Sequence, residues 1–281
     1  MKCLGLVLLI LTVGAVGCGK RRAEDLIQDL KNEHVSVRRK ASYRLVLLGK
    51  ASVSPLLKAM ASGDDQMKYL GAQILGSIGD KRTVSPLIEL TKHEHEHIRA
   101  KAAEALGKLS REEAIPVLMG LMHQDPHSIV RKEAAWALGV LRAENAVDAL
   151  MGSLNDRSPQ VRKNSIASLN HFIWIREGVF ESLAAKLKGD PDETVRYVAA
   201  QAVREFQTEK GMLALIDALR DDSQWVRKEA ADGLAVFGDE RARGPLLEVL
   251  TTYEGPDQEA AREALIQITG IEYEVVDPDS L

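Results

Sequence analysis

The sequence predicts an all-α protein, an α-solenoid of about eight stacked helix pairs, and three observations carry that prediction. The first is a repeat: an apolar residue followed by a base recurs at Val37-Arg38, Met67-Lys68, Ile98-Arg99, Val130-Arg131, Val161-Arg162, Val195-Arg196 and Val226-Arg227. A period of about 31 residues marks an array of supersecondary units rather than a single folded core. The second is spacing. From each anchor, apolar or small residues fall at offsets 0, 4, 8 and 11, as in VRKEAAWALGVL (130–141) and VRKEAADGLAVFG (226–238), which is one face of an amphipathic helix. The third is the position of the prolines, eight of which fall at boundaries of that grid and none inside a helix.

Taken along the chain, the first helix spans about 23–31 and caps the array. Each later unit opens with an apolar segment, SPLLKAM, SPLIEL, IPVLMGLM, AVDALMGSL or GPLLEVL, and continues with the anchored, alanine-rich helix. Pro55, Pro86, Pro116 and Pro245 start the first helix of a pair, where a missing N–H costs nothing, and Pro126, Pro159, Pro191 and Pro256 stand in the turn between the two. Gly49, Gly79 and Gly238 suit left-handed helix ends. A terminal pair near 257–270 lacks the anchor signature, as capping units do, and residues 271–281 trail off as an acidic tail. No helix pair buries its apolar stripe alone, so stacking must supply the core, and the repeats fill 23–270.

Residues 1–22 are of a different kind. Lys2 precedes an uncharged run, Leu4 to Val16, which has the length of a signal-peptide core and is too short to span a bilayer comfortably. Ala15-Val16-Gly17-Cys18 resembles the lipobox of bacterial lipoproteins. That resemblance implies that residues 1–17 are removed, that Cys18 is lipidated, and that 18–22 form a short tether whose Lys20, Arg21 and Arg22 lie near headgroups. The chain is then exported and anchored to a cell envelope membrane. Gly14 to Lys20 also fits the spacing of a phosphate loop, but Arg21 takes the Ser/Thr place and no strand–helix alternation follows.

The repeat itself resembles the HEAT-like repeats called phycobilisome-lyase (PBS lyase) repeats. Asp125-Pro126 with VRKEAAWALG and Asp190-Pro191 with VRYVAAQAV match the pattern of turn Asp and Pro followed by Val-Arg-x-x-Ala-Ala-x-x-Leu-Gly. The resemblance implies a ladder in which turn acids, here Asp125, Asp156, Asp192 and Asp222, bond Arg131, Arg162, Arg196 and Arg227 between neighbouring units. HEAT-repeat deoxyhypusine hydroxylases are similar in architecture, and that resemblance implies His-Glu iron ligands just before the Ala-Ala pair. Ala100-Lys101, Lys132-Glu133 and Lys228-Glu229 occupy those places, and lysine is not such a ligand.

Composition narrows the function classes further. Both cysteines, Cys3 and Cys18, precede residue 19, so the repeats have no sulfur nucleophile, and a net charge of -4 offers no field for nucleic acid. There is no GxSxG elbow or comparable enzyme signature. Five of seven histidines, His93, His95, His97, His123 and His127, cluster in two successive turns and could hold a divalent metal weakly; no other cofactor is implied. Tyr43, Tyr69, Trp136 and Tyr197 lie off the apolar stripe and make a candidate uncharged partner-binding strip. Phe172, Trp174 and Phe180 fall in the one long interval, 170–180, as a gap filler or as partner anchors with Trp174 foremost.

The sequence expectation is therefore a non-enzymatic scaffold that binds envelope proteins, does not bind nucleic acid, and meets the membrane through Cys18. Two alternatives stay open: a metal-binding envelope protein using the His93–His97 and His123/His127 turns, and a lyase-like enzyme of the PBS lyase repeat family.

Overall fold

The computed structural model describes residues 23–172 and 178–273. The leader with Cys18, Trp174 and residues 274–281 lie outside them. Every regular element among the described residues is helical, and none of these helices is long and apolar enough to cross a membrane. The chain divides into two compact units, the first ending at Leu141 and the second beginning at Arg142.

In the first unit four helix pairs follow one another: α1 (23–29) with α2 (Val35–Leu48), α3 (Lys50–Ser62) with α4 (Asp65–Ile78), α5 (Val84–Leu90) with α6 (Glu96–Leu109), and α7 (Ile115–Gln124) with α8 (Ser128–Val140). The second unit repeats the plan: α9 (Val147–Ser153) with α10 (Pro159–Leu169), α11 (Val179–Gly189) with α12 (Glu193–Arg204), α13 (Glu209–Ala218) with α14 (Gln224–Phe237), and α15 (Arg243–Thr252) with α16 (Pro256–Thr269). Within each unit the second helices stack in series, α2 to α4 to α6 to α8, and α10 to α12 to α14 to α16. The alanines at offsets 4 and 5, such as Ala102-Ala103, Ala134-Ala135, Ala199-Ala200 and Ala230-Ala231, are fully buried in those stacks. Small residues let the backbones approach: a Cβ placed on Gly76 would lie 2.8 Å from the Cα of Ala105, and one on Gly107 2.8 Å from the Cα of Ala137.

The buried ladder joins successive pairs, and it corrects the sequence expectation about which acids take part. Arg99 holds Asp125 at 2.7 and 3.0 Å, Arg162 holds Asp190 at 2.8 and 2.6 Å, and Arg196 holds Asp221 at 2.7 and 2.9 Å. Arg227 reaches Asp257 at 2.7 Å. Asp190, Asp221 and Asp257 thus replace the expected Asp192 and Asp222; Asp192 instead caps α12 through the N–H groups of Thr194 and Val195. The reason is local. Asp125, Asp190 and Asp221 each accept the backbone N–H two residues on, which fixes the carboxylate, and each offers its carbonyl to the arginine of its own unit. One turn residue so ties two units together through charge-assisted bonds.

Two smaller expectations also change. Pro55 lies inside α3, because that helix starts at Lys50 directly after Gly49, which caps α2 and α3 alike. Gly79 and Gly238 adopt the left-handed conformation, whereas Gly49 has positive φ with ψ −132°, a joint rather than a left-handed cap. The position twelve residues past the anchor carries positive φ even without glycine, at Ser110 (50°), Arg142 (50°) and Gln207 (48°).

Candidate active site

Two of the singled-out tyrosines sit at the same offset, two residues past an anchor, and each meets the residue three past the anchor of the next pair. In the first unit, Lys101 lies over the Tyr69 ring, 5.1 Å from its centroid, and is ion-paired to Glu104, which also accepts from Lys108 at 2.5 Å. Burial opposes the Lys101 charge, but the hydrogen bond and charge of Glu104, with Tyr69 beside it, hold its pKa above the ordinary value. That cluster is closed on itself.

In the second unit the same construction is open. Tyr197 on α12 faces Glu229 on α14, and Gln201 donates to the Tyr197 oxygen at 3.0 Å and to Glu229 Oε2 at 3.3 Å. Arg204 donates to Glu229 Oε1 at 2.7 Å, so a carboxylate only 6% exposed has both oxygens held. Burial pushes the Tyr197 phenol above its ordinary pKa, and the charge and hydrogen bond of Glu229 push it further. Lys228 is raised by its hydrogen bond to Asp232 at 2.6 Å. Tyr197, Lys228 and Glu229 converge on one cavity of about 320 Å³, closed along one side by Trp225, whose indole is half exposed. This wall brings together a phenol and an ammonium, both with raised pKa, and the side chain of Glu229, residue types that acid–base reactions use.

A larger groove of about 610 Å³ runs along α11 and α13, walled by Phe180 and Leu213. Its basic rim residues Lys210 and Arg220 are spent on Glu181 and Glu248.

The remaining sequence candidates are placed as follows. Tyr43 is 64% exposed on α2, and Trp136 packs with its ring over Gly107. Lys101 covers Tyr69 and Glu229 faces Tyr197, so these two tyrosines each stand beside a charged side chain. Phe172 is buried in the core beside the long interval, whereas Phe180 is partly buried, meets Phe206 edge to face at 5.1 Å and walls the groove along α11 and α13. His93 and His95 stack with centroids 6.3 Å apart and share Asp65, at 3.4 and 3.2 Å, while His93 also contacts Lys68. His97 lies 3.9 Å from Glu96, His127 contacts Arg99 at 3.2 Å, and His123 is exposed on α7. Among the described residues no group of three or more His, Cys, Asp or Glu is arranged to hold a metal ion. Trp225, Lys228 and Glu229 were not singled out as a site from sequence, although Lys228-Glu229 stands in the slot compared above with hydroxylase ligands.

A family model described as HEAT repeats matches residues 53–139, 121–177 and 180–266. The chain belongs to the HEAT-repeat family. Among solved structures, the Escherichia coli protein YibA aligns with a TM-score of 0.64 at 18% identity, over 95% of this chain and 98% of its own, which shows the shared fold. A complex of CpcE and CpcF of phycocyanin lyase from Nostoc aligns with a TM-score of 0.48 at 18% identity, over 88% of this chain and 94% of that one. Among curated proteins, the deoxyhypusine hydroxylase of Schizosaccharomyces pombe is 26% identical over 219 residues, 74% of this HEAT-repeat chain and 67% of the relative.

That last finding overturns the expectation of a non-enzymatic scaffold: the matched relative is an enzyme, and the match runs through most of the repeats. Tyr197 and Glu229 come from two pairs about one repeat apart, so their meeting forms no linear motif. The irons implied by the resemblance to hydroxylases find no matching ligands here. The slots compared with iron ligands hold Lys101 over a tyrosine, Lys132 paired to Glu133 at 2.9 Å, and Lys228 paired to Asp232, a donor set that does not fit two irons.

Proposed function

We propose that this chain is a HEAT-repeat enzyme of lyase-like, acid–base type, with the cavity between α12 and α14 as its active site. The observation that carries the reading is the convergence of Tyr197, Lys228 and Glu229 on that cavity. The enzymatic relative supports it. In such a reaction Glu229 takes a proton from a substrate carbon, the electron pair becomes a double bond, and the leaving group departs with the proton of Tyr197. Water entering the open cavity then takes the proton from Glu229 and returns one to the phenol, restoring both groups. Lys228, kept charged by Asp232, stabilises negative charge as it develops. Arg204 and Gln201 orient the base.

The test is untargeted. Purified protein is incubated with a fractionated metabolite extract, and consumed and formed species are read by mass spectrometry. A substrate–product pair related by loss or addition of a small molecule is expected for the parent and absent for Glu229→Gln and Tyr197→Phe, with folding unchanged. Identical profiles for parent and both variants would remove the reading.

We further infer that this activity is held at an envelope membrane through lipidated Cys18; the order of Lys2, the uncharged run and Cys18 supports it. Cys18→Ser should abolish acyl labelling and release the body from membranes. Continued membrane residence without labelled lipid would show that the leader acts otherwise.

A further inference from the structure

Helix α2, VSVRRKASYRLVLL, contains four bases and no acid. Its inner face buries Ala41 and Leu45 against its own unit, while Val35, Tyr43 and Leu47 are 58%, 64% and 67% exposed. At roughly 100° per residue, Tyr43 and Leu47 lie at the centre of the outward face, with Arg39 on one side and Lys40 and Arg44 on the other. Among the described residues, Arg39, Lys40 and Arg44 form no ion pair, whereas the arginines of the ladder are all bound to carboxylates. The acids that approach this face come from α1, where Asp25 and Asp29 share a cavity wall with Arg44 and Leu47. They flank one edge of it.

We propose that this outward face of α2 docks on an anionic lipid surface. An exposed tyrosine and leucine between cationic flanks is the arrangement of a helix lying at a bilayer–water interface, with the rings and aliphatic chains at headgroup depth and the bases among phosphates. Charge complementarity selects the lipid: each base near an anionic surface adds attraction that salt weakens. Position agrees, since Lys20, Arg21, Arg22 and the uncharged run immediately precede the helix pair that carries this face. The proposal is independent of the cavity on α12 and α14, which lies in the other unit. It gives the first helix pair a task of its own, to set how the body lies on the membrane.

The test uses the chain from Gly19 onward, which keeps every described helix and lacks Cys18 and the apolar run, so that any vesicle binding belongs to the body. Flotation with phosphatidylcholine vesicles is compared with flotation on vesicles half phosphatidylglycerol. Binding to the anionic vesicles is expected to be at least about tenfold stronger, and to fall as salt rises from about 0.1 to about 0.5 M. Arg39→Gln, Lys40→Gln and Arg44→Gln together should weaken it about tenfold with an unchanged circular-dichroism melt, and Tyr43→Ser with Leu47→Ser should weaken it severalfold. Equal binding to both vesicles, no binding by the folded chain, or a triple variant that binds like the parent would each overturn the proposal. The last would move the attraction to Lys20, Arg21 and Arg22.

Discussion

In the first unit Tyr69 meets Lys101 from the next pair; in the second, Tyr197 at the same offset meets Glu229, which stands at the same offset as Lys101. The backbone relation is shared, and the chemistry differs by the identity of the partner. A lysine folds over the tyrosine face and is neutralised by Glu104. A shorter carboxylate stops beside the phenol and leaves room that Trp225 borders. A repeat thus fixes where side chains of successive pairs meet, and single substitutions in that slot decide whether the meeting is structural packing or a site.

The largest expected effect comes from writing the first unit's residue into the second. Glu229→Lys places a second cation against Arg204 at a position only 6% exposed and removes one of the two acceptors of Gln201. A loss of about 3 kcal/mol is expected, the cost of an uncompensated buried charge, read as a lower urea midpoint at constant slope. The counterpart at the first unit, Lys101→Met, removes the cation–π contact to Tyr69 and the ion pair to Glu104, which keeps Lys108, and should cost about 1 kcal/mol. Equal costs at the two positions would show that the slots are energetically alike.

A gentler change separates stability from chemistry. Glu229→Gln keeps the volume and removes the charge, so the contribution of the carboxylate to the raised Tyr197 pKa disappears and the phenol should titrate lower, though still above the ordinary value because burial remains. Ultraviolet titration of tyrosinate in parent and variant measures the difference. The stability cost should be about 1–2 kcal/mol, and the proposed turnover should vanish. A Tyr197 titration that does not move would mean that Glu229 does not act on the phenol.

How much of this was legible in the sequence follows the physics of repeats. The helix pairs were readable because an anchor, an alanine pair and boundary prolines recur with one period. The ladder was readable in kind but not in detail, since Asp190 and Asp192, or Asp221 and Asp222, sit in one turn and only the local Asx geometry decides which carboxylate faces the neighbouring arginine. Pro55 was misplaced because Gly49 lets α3 begin five residues before it. The cavity was not readable at all. Tyr197 stood out only as part of a partner-binding strip and Lys228-Glu229 only as a slot unsuited to iron, and their meeting shows only when two helices are laid side by side; the lesson for a repeat sequence is to compare equal offsets in successive units.

The left-handed positions offer a smaller test across both units. Gly79 and Gly238 accept positive φ freely, whereas Ser110 in the first unit and Gln207 in the second adopt it with a side chain. Ser110→Gly and Gln207→Gly should each raise stability by up to about 1 kcal/mol, and Gly79→Ala and Gly238→Ala should lower it by about as much. Thermal melts of the four variants decide it. A stabilised Ser110→Gly beside a destabilised Gln207→Gly would point to the shorter of two like bonds as the compensation, Gln207 Nε2 to the Arg204 carbonyl at 2.9 Å against Ser110 Oγ to the Gly107 carbonyl at 3.3 Å.

The smallest effect is a pH dependence that the two units should share. Asp80 and Asp239 each cap a short 3₁₀ turn, accepting the backbone N–H and the guanidinium of the arginine two residues on, Arg82 and Arg241. Those bonds lower each carboxyl from 3.8 to about 2. A depressed folded-state pKa means that the unfolded chain binds the proton first, so the contribution is complete above about pH 4 and is lost as pH falls toward 2. Both arginines are half exposed, so salt should screen most of it. Asp80→Asn and Asp239→Asn should therefore flatten the acid limb of the stability curve by similar small amounts at low ionic strength and by almost nothing at high. A marked inequality would have to come from Asp80, whose side chain is 5% exposed against 32% for Asp239, because a carboxylate with less water around it leans harder on its one arginine.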